Sequence, residues 1–221
     1  MKIAILTLAI GADFCRDLAE CLESKRAYAT RHGYTYIQGG AEYWDRGRPV
    51  AWSKIPFLLA FLRSEAAVAF DFIWFSDADV YITTPDLTLD RVVAAMPADR
   101  HLMLNVDSWK NVNSGNMLMR LGGGGTQFLI DYFTRVWART SDLFHIWYEN
   151  KAMIDEYEAE PATKALIHFN EDVKLFNTYI NGLPGAILWE RGDFLVHFAG
   201  IYDTKKMRDC VEKINAGVLP Y

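Results

Sequence analysis

Four large apolar residues in a row, Phe72-Ile73-Trp74-Phe75, are followed at once by Ser76-Asp77-Ala78-Asp79. Such a run is at home only as a buried strand, and the two carboxylates at its end must leave the core. If the chain continues extended, residues two apart point to the same side, so Asp77 and Asp79 converge while Ala78 faces away. Two ionised carboxylates that close repel each other unless a cation lies between them, and hard oxygen ligands suit Mg²⁺ or Mn²⁺. The simpler alternative is that both aspartates cap a turn after a core strand.

Around this strand, apolar runs alternate with helical periodicity. Ile3 to Leu8 reads as a first strand, Phe14 to Arg31 as a helix opened near Gly11 and Asp13 and stopped at His32-Gly33, and Tyr34 to Ile37 as a second strand. Trp52 to Leu62 is helical, with Pro56 in its first turn or kinking it. Strands are expected at Leu102 to Val106, Met117 to Arg120 and Leu195 to Phe198, and helices at Thr126 to Arg139 and Lys174 to Ile180. This alternation implies an α/β layered sheet in a single domain, 1–221, with residues 141–165 forming a helical insertion beside a site. Gly122 to Gly125 precedes a helix but lacks both Gly-Lys-Ser/Thr and Gly-x-Gly-x-x-Gly spacing, so it reads as a flexible connection rather than a phosphate loop.

Composition narrows the function classes. Lys plus Arg number 23 against 28 Asp plus Glu, a formal charge of −5, and no basic run exists to follow a nucleic-acid backbone. An anionic ligand must therefore find positive charge locally. The longest apolar stretch, Ala66 to Phe75, is interrupted by Asp71 and is too short to span a bilayer. Cys15, Cys21 and Cys210 lack metal or redox spacing, which fits reduced thiols in a cytoplasmic setting.

A second polar strand end is Leu195-Val196-His197-Phe198-Ala199-Gly200. His197 either completes a metal site, where its imidazole would favour Mn²⁺, or is a hydrogen-bonded structural residue. Lys205 and Lys206 follow closely, as phosphate partners or as solvated surface. Asp172 either lines a pocket or caps the helix begun by Val173, and Asp107 and Asn113 either contact substrate hydroxyls or form turns.

Taken together, Asp77-Ala78-Asp79 after an aromatic strand and His197-Phe198-Ala199-Gly200 near the C-terminus resemble the metal-binding pair of GT-A fold nucleotide-sugar glycosyltransferases. Glycosyltransferase family 34, the α-galactosyl and α-xylosyltransferases, is the nearest pattern. Trp52-Ser53-Lys54 matches its Trp-x-Lys segment, Asn113-Ser114-Gly115 its Asn-x-Gly strand entry, and Asp172-Val173-Lys174-Leu175-Phe176-Asn177 part of its Asp-Gln-x-x-Leu-Asn helix start. The resemblance implies a GT-A-like, mostly parallel mixed sheet flanked by helices, and a Mn²⁺-dependent hexosyl or pentosyl transferase, with Mg²⁺ as second candidate. It would use a UDP-sugar donor and a glycan or other hydroxyl acceptor. Asp79 and His197 would hold the metal, with Asp77 contacting its water or the ribose. Lys54 and Lys205 would lie on the donor side, and the Leu8-Ala9-Ile10-Gly11 loop would offer backbone groups to uracil and ribose. Asp172 would line the donor-sugar pocket, and Asp107 and Asn113 would reach sugar or acceptor hydroxyls. At this length the chain is also similar to compact soluble glycosyltransferase domains of large algal viruses, which implies a host cytoplasm.

Two other classes compete. A haloacid-dehalogenase-like phosphatase or phosphotransferase also places Asp-x-Asp after a strand, but there Gly-Thr follows, whereas this chain has Val80-Tyr81. A non-catalytic carbohydrate-binding domain would use the seven tryptophans to stack sugars without needing a metal or UDP.

Overall fold

A computed structural model describes residues 1–221. The first part of the chain forms β1 (Ile3–Leu8), α1 (Ala12–Asp17), α2 (Ala19–His32), β2 (Thr35–Gly39), α3 (Lys54–Leu62), β3 (Phe72–Ser76), β4 (Val80–Ile82) and α4 (Asp90–Ala95). Next come β5 (Leu102–Val106), β6 (Val112–Arg120), α5 (Gly125–Ala138), α6 (Glu149–Ala159), α7 (Pro161–Lys164) and β7 (Ile167–Asn170). The remainder supplies α8 (Val173–Phe176), β8 (Thr178–Tyr179), β9 (Leu195–His197) and α9 (Thr204–Asn215).

Six strands form the central sheet in the order β2-β1-β3-β6-β5-β7. β1 runs parallel to β2 and β3, and β7 parallel to β5, while β6 is antiparallel to both its neighbours. The period-two alternation of β3 decides the layering. Ile73 and Phe75 join one apolar cluster with residues of α3, α5 and α6, and Phe72 and Trp74 join another with Tyr28, Val92 and Phe194. The strand is thus covered on both faces, as its unbroken apolar run requires. A smaller sheet, β4-β9-β8, lies at the end of β3, with Val80 opposite His197.

Several expectations change. Residues 174–180 do not form one helix: α8 stops at Phe176, Asn177 leaves helical geometry at φ −157°, and Thr178–Tyr179 pair with β9. The Asn177 amide is bound inside the protein, and a helix would carry it away. The long helix expected to Arg31 is broken at Leu18, and its N-cap is Gly11, while Asp13 pairs with Arg16. Residues 50–53 form a 3₁₀ turn before α3, whose first turn accommodates Pro56. The glycine run is not a slack connection. Gly123 and Gly124 have φ of 63° and 89°, and a Cβ on Gly125 would stand 2.0 Å from the Arg120 carbonyl oxygen. The three cysteines are free. No helix is long and apolar enough to cross a membrane.

Candidate active site

β3 leaves the core at Ser76, and the next residues turn sharply into β4. The Asp77 N–H donates to the Gly115 carbonyl at 2.7 Å, keeping the register with β6, and the Val80 N–H donates back to the Asp77 carbonyl at 3.2 Å. Asp77 and Asp79 therefore converge through a turn rather than through continued strand alternation. From the other side, β9 delivers His197 opposite Val80, and the Phe198 N–H donates to the Asp79 carbonyl at 3.1 Å. Ligand atoms of Asp77, Asp79 and His197 all lie within 4.8 Å of one another, and His197 Nε2 is 3.5 Å from Asp79 Oδ1. Two carboxylates and one imidazole at this spacing are a donor set for a divalent ion such as Mn²⁺.

The imidazole tautomer follows from a chain of amides. Trp74 Nε1–H, which can only donate, gives its proton to Asn116 Oδ1 at 3.1 Å, so the other end of that amide is a donor. Asn116 Nδ2 donates to Asn177 Oδ1 at 2.9 Å, and His197 Nδ1 lies 3.0 Å from the same oxygen. Nδ1 must then carry the proton, leaving the Nε2 lone pair toward Asp79 and free to ligate. Asn177 is held in turn by Asn113 at 3.4 Å and by the Tyr179 hydroxyl. The ring lies directly over Gly115, where a Cβ would stand 2.1 Å from its Cε1.

Charge is arranged on both sides of the aspartates. Lys54 Nζ lies 3.0 Å from both oxygens of Asp77 and 3.0 Å from Glu149 Oε1, and Ser114 Oγ accepts from Lys54 Nζ at 3.2 Å and donates to Glu149 Oε1 at 3.0 Å. Burial acts to lower the Lys54 pKa, but the attraction of Asp77 and Glu149 outweighs it and holds the ammonium above its ordinary range. Burial raises Asp77. It would raise Asp79 too, but the charge and hydrogen bond that His197 offers when its ring is doubly protonated, aided by Lys25, bring Asp79 below the usual carboxylate range; the neutral ring leaves Nε2 as a lone pair. With three carboxylates set against the ammonium groups of Lys54 and Lys25, the cluster keeps one negative charge in excess. A bound dication would reverse that sign toward an anionic ligand.

These residues line a cavity of about 710 Å³. Leu8, Lys54, Asp107 and Asn113, all expected at the site, share its wall. Asp107 doubles as a turn former, since its Oδ1 accepts the N–H groups of Trp109 and Asn111 at 2.8 Å each. Ala9 is buried behind the wall, its N–H donating to Gly39, and Gly11 begins α1. Asp172 and Lys205 are not among the lining residues. Asp172 Oδ1 accepts the Lys174 N–H at 3.0 Å as the cap of α8, which is the alternative its sequence allowed, and Lys205 is exposed on α9 beside the lining residue Thr204. Sequence reasoning missed Glu149, Asn116, Asn177 and Lys25. Lys25 stands in a charged helical stretch, and Asn116, Glu149 and Asn177 each stand beside an apolar or aromatic residue, with no spacing that marks them as partners of the site.

A sequence model of the galactosyl transferase GMA12/MNN10 family matches residues 12–107. That segment contains Lys54, Asp77 and Asp79 but stops before Asn113 and His197. No curated protein sequence matches the chain. Among solved structures, the glycosyltransferase involved in the glycosylation of the major capsid of PBCV-1 superposes with a TM-score of 0.74 at 12% identity, covering 98% of this chain and 100% of that one. The glycosyltransferase GlyE of Streptococcus pneumoniae gives 0.58 at 12% identity over 99% of this chain and 65% of its own. Mouse xyloside xylosyltransferase 1 gives 0.54 at 10% identity, over 90% and 98%. The chain therefore has a GT-A-like glycosyltransferase fold and, through residues 12–107, resembles the galactosyl transferase GMA12/MNN10 family.

Proposed function

We propose that the protein is a metal-dependent glycosyltransferase that moves a sugar from a UDP-sugar to a hydroxyl of a glycan acceptor. The observation that carries this reading is the meeting of Asp77, Asp79 and His197 from two remote strand ends on one wall of a cavity of about 710 Å³. A Mn²⁺ bound there supplies the positive charge that a diphosphate needs, both to bind beside carboxylates and to leave. Asp79 and His197 Nε2 are its direct ligands. Asp77, already paired with Lys54, takes the weaker share, toward metal-bound water or the ribose. Leu8 and Ile10, with the backbone of their loop, face the nucleoside. Toward Asn113 and Asn150 the wall combines amides with the rings of Trp109, Trp147 and Tyr148. Apolar rings beside hydrogen-bonding groups suit the two kinds of surface on a sugar, and we assign this end to the acceptor. In the phosphatase alternative the imidazole has no part to play.

The test is calorimetric binding of UDP with and without Mn²⁺. The wild-type protein should bind UDP only when Mn²⁺ is present. Asp79→Ala and His197→Ala should each weaken that binding by about 100-fold or more while keeping a cooperative unfolding transition. Equal UDP affinity in EDTA, or unchanged binding in both variants, discards the reading.

A further inference from the structure

Lys25 lies in Glu23-Ser24-Lys25-Arg26, a stretch of α2 that reads as solvated helix surface, yet the residue is 0% exposed. Its ammonium donates to the carbonyl oxygens of Asp77 at 3.0 Å, Ala78 at 3.3 Å and Val80 at 2.7 Å. Three protons thus meet three acceptors, all of them main-chain atoms of the turn that carries both aspartates. Burying a charge is costly, and an apolar side chain of similar length would fill the same space without that cost. Three carbonyl acceptors around one nitrogen call for the ammonium form, since a neutral amine has only two protons to give. Packing alone gives no reason for a cation here.

Geometry gives one. With the three carbonyls drawn toward a single point behind the turn, the peptide planes of Asp77, Ala78 and Val80 are fixed. All three residues border the cavity, Asp77 and Asp79 with partly exposed side chains and Ala78 buried between them. The same charge stands behind two carboxylates that would otherwise repel each other before any ion arrives. We propose that Lys25 is a positioning residue of the metal centre, an internal cation around which the Asp77–Val80 turn folds so that both carboxylates are presented to a divalent ion. This inference rests on the metal-dependent reading above but concerns a residue that touches neither metal nor donor.

The experiment titrates Mn²⁺ alone into the full chain and reads free Mn²⁺ by electron paramagnetic resonance, with thermal unfolding followed in parallel. Lys25→Met should weaken Mn²⁺ affinity by about 10- to 100-fold, the range seen when outer-shell partners of metal ligands are removed. Lys25→Gln, which keeps N–H donors without the charge, should fall between it and wild type. Val92→Ala, which opens the core on α4, is the control and should lose stability without losing Mn²⁺. A folded Met variant that binds Mn²⁺ as tightly as wild type, or more tightly because a repelling charge has gone, overturns the proposal, as does an equal loss in Val92→Ala. If the Met variant does not fold, the Gln variant decides, and wild-type affinity there is fatal. A wild-type protein that takes up no Mn²⁺ removes the metal centre itself and this role with it.

Discussion

At Gly115 one hydrogen atom separates the His197 ring from a collision. A methyl group there would meet His197 Cε1 at 2.1 Å and Nε2 at 2.8 Å, and the ring cannot retreat without giving up its hydrogen bond to Asn177. Gly115→Ala should therefore rotate or push out the imidazole. The expected result is at least a tenfold loss of Mn²⁺ affinity, together with about 1–3 kcal/mol of overpacking strain, checked by calorimetry and by denaturant unfolding. Binding equal to wild type would mean that the imidazole does not need this seat. Legibility at this scale follows the local contrast of each residue. Asp77, Asp79 and His197 are visible in the sequence because each is a polar residue at the end of an apolar run. Lys25 is a charged residue among charged neighbours and Glu149 a lone carboxylate beside Tyr148 and Asn150, and only tertiary contacts distinguish them from surface. Asp172 is the opposite case, conspicuous by position yet occupied with its own helix.

Among the elements, α2 shows how a local signal survives into the structure. The helix ends at His32, and Gly33 takes the left-handed conformation at φ 68°, its N–H closing on Ala29 and Thr30. Nothing lies within 4 Å of a Cβ placed there, so Gly33→Ala tests backbone conformation alone. It should cost about 1 kcal/mol, measured by urea unfolding, without changing metal or UDP affinity. Helix stops and mainly apolar strands such as Ile3–Leu8 and Leu102–Val106 are legible because local chemistry and tertiary burial agree on them. Where they disagree the sequence misleads. Val112 to Asn116 is too polar to read as strand, yet it extends β6 because the Ser114 N–H donates to Asn150, the Asn116 carbonyl accepts from Asn105, and the Asn116 side-chain amide donates to Asn177. The same network ends α8 early. Short segments such as β4 and β8 carry too few residues for any period to register.

For the molecule as a whole, the cluster of Asp77, Asp79 and His197 lies where the end of the central sheet meets the small one. Three apolar clusters converge on it: the two faces of the sheet and a third group holding Ala78, Val196 and Phe198 with α2 and α9. An ion bound only by the native arrangement stabilises it by mass action, about 2.7 kcal/mol at a free concentration 100 times the dissociation constant. For a chain of 221 residues that should raise the melting temperature by roughly 5–10 °C. Differential scanning fluorimetry with Mn²⁺ against EDTA checks it, and an unmoved transition would speak against the ion. The α/β class was readable from alternation, whereas the existence of the second sheet was not, since its strands lie far apart in the sequence.

Because β9 is the middle strand of that second sheet, hydrogen-bonded on one side to β4 and on the other to β8, the imidazole arrives as part of the scaffold rather than as an appendage. Shortening the gene product ahead of Leu195 would do more than remove one imidazole. It would strip two neighbouring strands of their only shared partner, so whoever trims this protein for expression should count Leu195–His197 as foundation, not tail.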